Sequence, residues 1–382
     1  MKILFVIDSL RKGGIRTSLL NLLANLDYQN YDIYLFCFHI TEDDEKYIPS
    51  NVHVIKPNKF FNLLASTGDE LKQFSYIRYF FRGIFSAVCK IFNSNNLYNL
   101  IFKTEKRQFK YDIAISYTNN VSDHSLYFGS NKFVIEKVDS RKKITWLHAD
   151  YHAMRLDTLI NNNEYNYFDT IVCVSKAVAN SFIKYNKHLE NKIKIIYNLL
   201  DINKLEMLSN ENINEMINKD MLNCISVMRL DENKDPLFII DIAIELKKNN
   251  VNFCWRILGD GPLFNKTKYK IEVNDLKNNV ILYGYVNNPY PYLKKSDLYI
   301  STSKSEGFGL SIVEALYFDL DVLCAKYDAV DEVLDNKNGM IINKSLSEYV
   351  NVIKNSLYKR NKHYILHSNE DVMKEIDTLL NI

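Results

Sequence analysis

The chain has 382 residues, of which 47% are hydrophobic and 25% are charged, and its formal net charge at pH 7 is +2. This composition is typical of a globular protein with two or three domains, and the near-neutral charge excludes nucleic acid as the expected partner. Residues 1–200 carry 26 Lys and Arg against 19 Asp and Glu, whereas residues 201–382 carry 22 against 27. The basic first half favours an anionic surface or acceptor, although an accidental asymmetry explains it equally well.

Six cysteines are spread through the chain without the spacing of metal ligands. Most of them stand in apolar, strand-like runs, so we expect buried, reduced thiols and a cytoplasmic protein. The N-terminal apolar run is short and is interrupted by Asp8, so a signal peptide is not expected. No stretch approaches the roughly 18 apolar residues that a transmembrane helix needs.

The chain begins with a predicted buried strand, residues 2–7, which is followed by a loop containing Gly13 and Gly14. A leucine-rich helix follows from about residue 17 to 25. The free N–H groups at the start of such a helix bind phosphate readily. The loop lacks the G-x-G-x-x-G spacing of dinucleotide-binding proteins, so a hydride-transfer enzyme is disfavoured. Further strands are predicted at 31–40, 52–55, 111–117, 143–148 and 168–174.

The segment 70–92 has a different pattern, because apolar and aromatic residues recur in it at helical spacing. Lys72, Arg78, Arg82 and Lys90 fall on the face beside the apolar stripe. A basic, aromatic amphipathic helix can lie at the surface of a membrane. The alternative is a helix that packs on the N-terminal sheet with a solvated basic edge, and the sequence leaves both possibilities open.

A second series of elements begins at residue 222. Strands are predicted at 222–228, 253–258, 280–282, 297–302 and 321–325, and a last helix at 371–382. Asp235 and Pro236 predict the start of a helix that runs to about residue 248, because proline is favourable at the first helical position. The domain boundary is predicted near residue 200.

The most informative stretch runs from residue 303 to 316 and reads SKSEGFGLSIVEAL. A short apolar strand precedes it, Gly307 and Gly309 stand in its loop, and helical spacing begins at Leu310. Phosphorylated ligands bind at such junctions in open α/β sheets. Glu306 in the loop and Glu314 one turn into the helix can therefore contact different parts of one ligand, a sugar hydroxyl and a ribose hydroxyl pair. The alternative is a capped amphipathic helix whose glutamates are solvated.

Two glutamates separated by seven residues, with G-F-G-L between them, resemble the signature of the retaining glycosyltransferases of family 4. The Lys12-Gly13-Gly14 loop, the pair Arg229 and Lys234, and the turn at 259–262 also resemble that family. The resemblance implies an α/β protein of the GT-B fold, with two Rossmann-like domains and an interdomain cleft. Residues 1–200 would form the acceptor-binding domain, 201–365 the nucleotide-sugar-binding domain, and 366–382 a helix that crosses back to the first.

The resemblance also implies the roles of individual residues. It implies catalytic roles for His148, Arg229, Lys234 and Glu306, and donor binding by Gly14, Gly261, Val286, Phe308, Gly309, Leu310 and Glu314. Arg229 and Lys234 would neutralise the departing diphosphate, and His148 would reach the donor sugar, with His152 as the competing choice. No residue is an obvious nucleophile, so the implied mechanism is front-face attack, in which the departing phosphate takes the acceptor proton.

This sequence departs from the family at two places. Ile15-Arg16 follows the Gly pair where members often have Glu-Arg, and Tyr327-Asp328-Ala329 replaces a glycine-rich turn. No cofactor and no essential metal are implied, and Asp319-x-Asp321 is interpreted as a pair of solvated carboxylates.

The expected function is transfer of a hexosyl or N-acetylhexosaminyl group from a nucleoside diphosphate sugar, with UDP the preferred nucleotide. The acceptor would be a glycan or a lipid-linked saccharide in bacterial cell-surface polysaccharide synthesis, such as capsule or cell wall. The protein would be cytoplasmic and could contact the inner face of the membrane through 70–92. Two alternatives remain: a GT-B sugar-nucleotide epimerase, which needs no acceptor, and a silent partner subunit that only binds glycan.

Overall fold

The computed structural model describes residues 1–126, 129–213, 217–218, 220–335, 337–355 and 365–381, with the backbone alone at 69, 73 and 74. The chain divides into two compact units, one of Met1–Leu199 with Asn369–Ile382 and one of Leu200–Ser368. Each unit is built around one sheet of parallel strands, so both are Rossmann-like α/β units.

The first unit has a seven-stranded sheet in the order β3-β2-β1-β4-β5-β6-β7. Its strands are β1 Lys2–Ser9, β2 Asp32–His39, β3 His53–Ile55, β4 Phe109–Ser116, β5 Val138–Leu147, β6 Thr170–Cys173 and β7 Ile193–Ile195. Its helices are α1 Gly14–Asn25, α2 Glu42–Glu45, α3 Lys59–Ala65, α4 Gly68–Phe74, α5 Tyr76–Phe92, α6 Asn95–Phe102, α7 Ser130–Lys137, α8 Leu159–Tyr165 and α9 Lys176–Ile183. A 3-10 turn spans Lys187–Lys192.

The second unit has a six-stranded sheet in the order β10-β9-β8-β11-β12-β13. Its strands are β8 Leu222–Val227, β9 Phe253–Leu258, β10 Val280–Gly284, β11 Leu298–Ser301, β12 Asp321–Ala325 and β13 Met340–Ile342. Its helices are α10 Ile202–Ser209, α11 Pro236–Lys248, α12 Phe264–Val273, α13 Tyr290–Lys294, α14 Leu310–Tyr317 and α15 Leu346–Asn355, with a 3-10 turn at Val330–Glu332.

The last helix, α16 Asn369–Leu380, belongs to the first unit. The ammonium group of Lys142 in β5 donates to the carbonyl oxygen of Leu379 at 2.6 Å. This bond ties the end of the helix to the first sheet.

Both sheets rest on buried apolar cores that hold the strand ends in place. In the first unit the core is aromatic, and the rings of Phe36 and Phe133 stack 4.7 Å apart. In the second unit, Ile239, Ile240 and Ala243 of α11 pack against strands that are buried on both faces. The predicted helix start at Asp235 and Pro236 is confirmed.

The structure corrects the prediction of one continuous helix over 70–92. Helix α4 ends at Phe74 and α5 begins at Tyr76, because Ser75 between them has an extended backbone conformation. The Ser75 hydroxyl accepts a hydrogen bond from the N–H of Arg78 at 3.4 Å and so caps the second helix. Lys72 therefore lies on α4, apart from the three basic residues of α5.

All six cysteines are free and buried, as the sequence predicted. None of the helices within the described ranges has both the length and the apolar content that crossing a membrane requires.

Candidate functional site

The strand order of the second sheet brings two loops together at its carboxyl edge. From β8 the strand order runs through β9 and β10 to one edge of the sheet, and from β11 it runs through β12 and β13 to the other edge. The order therefore reverses between β8 and β11, and the loops that follow these two strands flank this switch point. Open α/β sheets bind ligands at such a point. The Thr302 hydroxyl donates to the Lys234 carbonyl at 2.8 Å, and the Lys304 N–H donates to the Asn233 carbonyl at 2.8 Å. These bonds make the two loops one cross-linked platform.

Lys234 and Glu306 form an ion pair across this platform, in which the Lys234 ammonium donates to Oε1 of Glu306. Their side chains are only 22% and 16% exposed. Arg229 pairs instead with Asp231, at 3.6 Å between Nε and Oδ2, and its side chain is 71% exposed. The structure thus brings Lys234 and Glu306 into contact and leaves Arg229 at the open rim of its loop.

The helix α14 starts beside this ion pair with an open first turn. Gly309 precedes the helix in the left-handed conformation, with φ 97° and ψ 50°, which favours glycine. Within the described part of the chain, the N–H groups of Leu310 and Ser311 donate to no acceptor, and no side chain caps the helix. Phe308 is buried and Leu310 is half-buried. The first turn therefore presents free donors to an anion.

Glu314 lies one turn further along α14 and is buried. The hydroxyl of Tyr290 donates to Oε1 of Glu314 at 3.1 Å. Burial raises the pKa of the Glu314 carboxyl to about 7, although the Tyr290 hydrogen bond and the charge of Lys204 act in the opposite direction. The carboxyl is therefore poised to change its charge near neutral pH.

Tyr299 of β11 lies near both glutamates. Its hydroxyl donates to the hydroxyl oxygen of Ser311 at 2.8 Å. Burial raises the pKa of Tyr299, and the charges of Glu306 and Glu314 contribute to the same shift. Both predicted donor carboxylates thus act electrostatically on one buried tyrosine.

Gly261 has a packing role in this unit. A Cβ at this position would lie 2.5 Å from the carbonyl oxygen of Leu230, and Leu230 also accepts a hydrogen bond from the N–H of Leu263 at 2.8 Å. The turn at 259–262 therefore supports the loop that carries Arg229 and Lys234. This close approach explains the glycine without any ligand.

Val286 is half-buried in the loop that follows β10.

His148 follows β5 in the first unit and is held by two hydrogen bonds. Its backbone N–H donates to Oδ1 of Asn119 at 2.6 Å, and its ring Nε2 lies 2.9 Å from the carbonyl oxygen of Tyr117. Because a carbonyl only accepts, Nε2 carries the hydrogen and Nδ1 is the acceptor of a neutral ring. Burial lowers the pKa of His148 to about 4, against the effect of the Tyr117 hydrogen bond. The ring is neutral near pH 7.

His152, the competing choice, is exposed. Its Nδ1 lies 3.1 Å from Oδ2 of Asp157 and 2.8 Å from the hydroxyl oxygen of Tyr185. These local partners explain the position of the exposed ring without any ligand. Gly14, the first residue of α1, is exposed, and a Cβ there would meet no atom within 4 Å.

Two residues of the second-unit site, Tyr290 and Tyr327, were missed by sequence reasoning. Tyr290 is 24 residues from its partner Glu314, and Tyr327 faces Gly309 from the next loop. Only the departure of residues 327–329 from the family pattern signalled Tyr327. Among the described residues, no group of three or more His, Cys, Asp or Glu side chains could hold a metal ion. Metal independence itself stays a prediction.

The fold matches that of GT-B glycosyltransferases. The structure of Anabaena HepE in complex with UDP and glucose covers 100% of both chains with a TM-score of 0.68 at 19% sequence identity. At this identity the likeness shows the fold alone.

The chain belongs to glycosyltransferase family 4, whose model matches residues 12–204, and the model of the group 1 glycosyl transferases matches residues 210–366. An uncharacterized glycosyltransferase of Methanocaldococcus jannaschii is 31% identical over 57% of this chain and 56% of its own length. The poly(ribitol-phosphate) alpha-N-acetylglucosaminyltransferase of Staphylococcus aureus is 28% identical over 66% and 42%. The chain thus spans about half the length of these curated relatives.

Proposed function

We propose that this protein is a retaining glycosyltransferase. It moves a hexosyl or N-acetylhexosaminyl group from a nucleoside diphosphate sugar to a glycan or lipid-linked saccharide in the synthesis of a cell-surface polysaccharide. The observation that carries the proposal is the Lys234–Glu306 ion pair beside the open first turn of α14, with Glu314 one turn further. Chemically suitable groups lie there for the phosphates, the ribose and the sugar of the donor. They also include a cation for the negative charge that develops on the leaving nucleotide.

The diphosphate binds at the free N–H groups of Leu310 and Ser311 and draws Lys234 away from Glu306. Charge-assisted bonds to phosphate are stronger than those between neutral groups. Lys234 then stabilises the negative charge that grows on the leaving nucleotide, and the exposed Arg229 adds to this from the loop rim. Glu306, released from its partner, accepts hydrogen bonds from sugar hydroxyls.

Glu314 accepts the ribose hydroxyls. A carboxylate is a stronger acceptor than a carboxylic acid, so nucleotide binding favours the ionised form of this buried group. In the first unit, the neutral His148 offers Nδ1 as an acceptor to a sugar hydroxyl, and the exposed backbone of Gly14 is open to a phosphate oxygen.

UDP is the first nucleotide to test. The Anabaena HepE structure is a complex with UDP and glucose, and the Staphylococcus aureus relative is named for transfer of N-acetylglucosamine to a polymer. These likenesses support a nucleotide-sugar donor and a saccharide or polyol-phosphate acceptor.

The acceptor proposal extends to a membrane surface. Helix α5 carries basic residues at 78, 82 and 90 and no acidic residue. Six of its large apolar side chains are at least half exposed: Tyr76, Ile77, Phe80, Phe81, Ile91 and Phe92. Exposed apolar patches of this kind mark interaction surfaces, and the basic residues fit anionic lipid headgroups. We therefore place α5 against the anionic inner face of the membrane, where a lipid-linked acceptor lies.

The test is release of nucleotide from a panel of UDP, GDP and ADP sugars, measured with and without lipid-linked or polymeric acceptors. Acceptor-dependent release that is lost in Lys234→Ala, with an anomeric configuration in the product equal to that of the donor, supports the proposal. Epimerised donor without acceptor would identify an epimerase instead. Glycan binding without any nucleotide binding would identify a silent partner subunit.

A further inference from the structure

Tyr327, at the turn after β12, has a buried hydroxyl without a partner. The residue is 5% exposed, and its hydroxyl oxygen makes no hydrogen bond within the described part of the chain. Buried tyrosine hydroxyls usually find a partner. Three others in the same unit do: Tyr290 donates to Glu314, Tyr299 to Ser311 and Tyr349 to the Ser301 carbonyl. The unpaired hydroxyl is therefore an exception among its neighbours.

This hydroxyl faces the start of α14. A Cβ built on Gly309 would lie 2.8 Å from it, so the oxygen is directed at the residue that precedes the helix. Burial raises the pKa of Tyr327, and the negative charge of Glu306 acts in the same direction, so the hydroxyl stays protonated. A neutral donor without an acceptor thus lies beside free N–H groups at the open first turn.

We propose that the Tyr327 hydroxyl donates a hydrogen bond to an anionic oxygen of a nucleoside diphosphate bound at the first turn of α14. The proposal rests on the proposed function, because it takes this turn as the donor site. It adds Tyr327 as a binding residue at the place where this sequence departs from the glycine-rich turn of glycosyltransferase family 4. In the free protein the hydroxyl is shielded from solvent. The diphosphate reaches it once Lys234 has turned to phosphate and Glu306 has moved aside.

The unpaired hydroxyl lowers the stability of the free protein, and it gains a hydrogen-bond partner in the complex. An unpaired buried hydroxyl destabilises the fold, and a hydrogen bond to a charged oxygen in a site shielded from water is a strong one. Removal of this hydroxyl should therefore weaken binding without weakening the fold. A hydroxyl with only a structural role would produce the opposite result.

The test is Tyr327→Phe, which keeps the ring and removes only the hydroxyl. We expect the dissociation constant for UDP, measured by calorimetry, to rise roughly tenfold to a hundredfold. The Tm of the variant without ligand should stay equal to that of the wild type or rise by a few degrees.

The matched control is Tyr349→Phe. Its hydroxyl is also buried in this unit, and it donates to the Ser301 carbonyl at 2.7 Å. Its loss removes a hydrogen bond to a buried carbonyl, so the Tm should fall while the affinity for UDP stays unchanged.

Two results would overturn the inference alone: wild-type affinity for UDP in Tyr327→Phe, or a fall in its Tm as large as that of Tyr349→Phe. The second would mean that the hydroxyl is already paired in the free protein. A wild-type protein that binds no UDP, GDP or ADP would overturn the proposed function together with this inference.

Discussion

The ammonium group of Lys234 donates to the carboxylate of Glu306 across the two loops that flank the switch point of the second sheet. The two residues are 72 positions apart, and both side chains are largely withdrawn from water. In the free protein each charge is therefore held in place by the other. In the proposed mechanism a diphosphate would compete for Lys234, so donor binding would be coupled to the release of Glu306.

Lys234→Ala and Glu306→Ala should each lower kcat by about two to three orders of magnitude, because each removes a group that acts on the charged or reacting part of the donor. Both variants should fold normally, as judged by circular dichroism and Tm. Lys247→Ala, which breaks an exposed ion pair with Asp275 in the same unit, is the control and should retain full turnover. Retained turnover in either site variant would contradict these roles.

Glu314 should make the second unit less stable as pH rises. The native carboxyl has a pKa of about 7 and the unfolded one about 4.5, so between these values the native state holds a proton that the unfolded state has lost. The stabilisation, about 3 kcal/mol at most, is complete below pH 4.5 and lost above pH 7.

Urea unfolding at pH 5 and pH 8 measures this effect. Glu314→Gln should flatten the fall in stability, whereas Glu232→Gln, which alters an exposed residue of the same unit, should leave the fall unchanged. An equal slope in Glu314→Gln and the wild type would show that this carboxyl is not the titrating group.

Gly261→Ala should destabilise the second unit by about 1–3 kcal/mol, because its Cβ would overlap the Leu230 carbonyl oxygen.

Gly14→Ala should leave Tm unchanged, because its Cβ meets no atom of the protein within 4 Å. If the Gly14 backbone approaches the diphosphate, this variant nevertheless raises the KM for the donor. An unchanged KM would remove Gly14 from the donor site.

His148→Ala should lower kcat/KM for transfer without changing the shape of its pH profile between pH 5.5 and 8. With a pKa of about 4, the ring is already neutral throughout this range. His152→Ala, on the exposed surface, should behave as the wild type. A pH step near 6.5 that disappears in His148→Ala would show that the ring titrates and that its buried environment opens in solution.

The exposed face of α5 should bind anionic vesicles. Ile77→Ser combined with Phe80→Ser should lower co-sedimentation with vesicles that contain phosphatidylglycerol, because apolar area leaves the lipid interface. Binding should also weaken at high salt. Tyr269→Ser, which changes a similarly exposed ring on α12, is the control. Equal binding by the double variant and the wild type would rule out this face as the docking surface.

Local signals predicted several elements closely. Pro236 after Asp235 marks the start of α11, and the apolar runs at 253–258 and 321–325 are strands with the predicted bounds. The break at Ser75 was missed, because apolar periodicity continues across it and outweighs a single capping serine. The hydrogen bond from Tyr290 to Glu314 was missed as well. The two residues are separated along the chain by the rest of α13 and by β11, so no local pattern links them.

The sequence alone determined the alternation of strands and helices, the glycine loops and the residue types of the proposed donor site, because these depend on local periodicity and backbone freedom. Only the tertiary structure decided which charges meet: Lys234 pairs with Glu306, Arg229 stays at the loop rim, and His148 is half-buried and neutral. The physical reason is that strand order sets which loops are neighbours, and burial then sets the charge of the groups they carry. Neither property can be deduced from spacing along the chain.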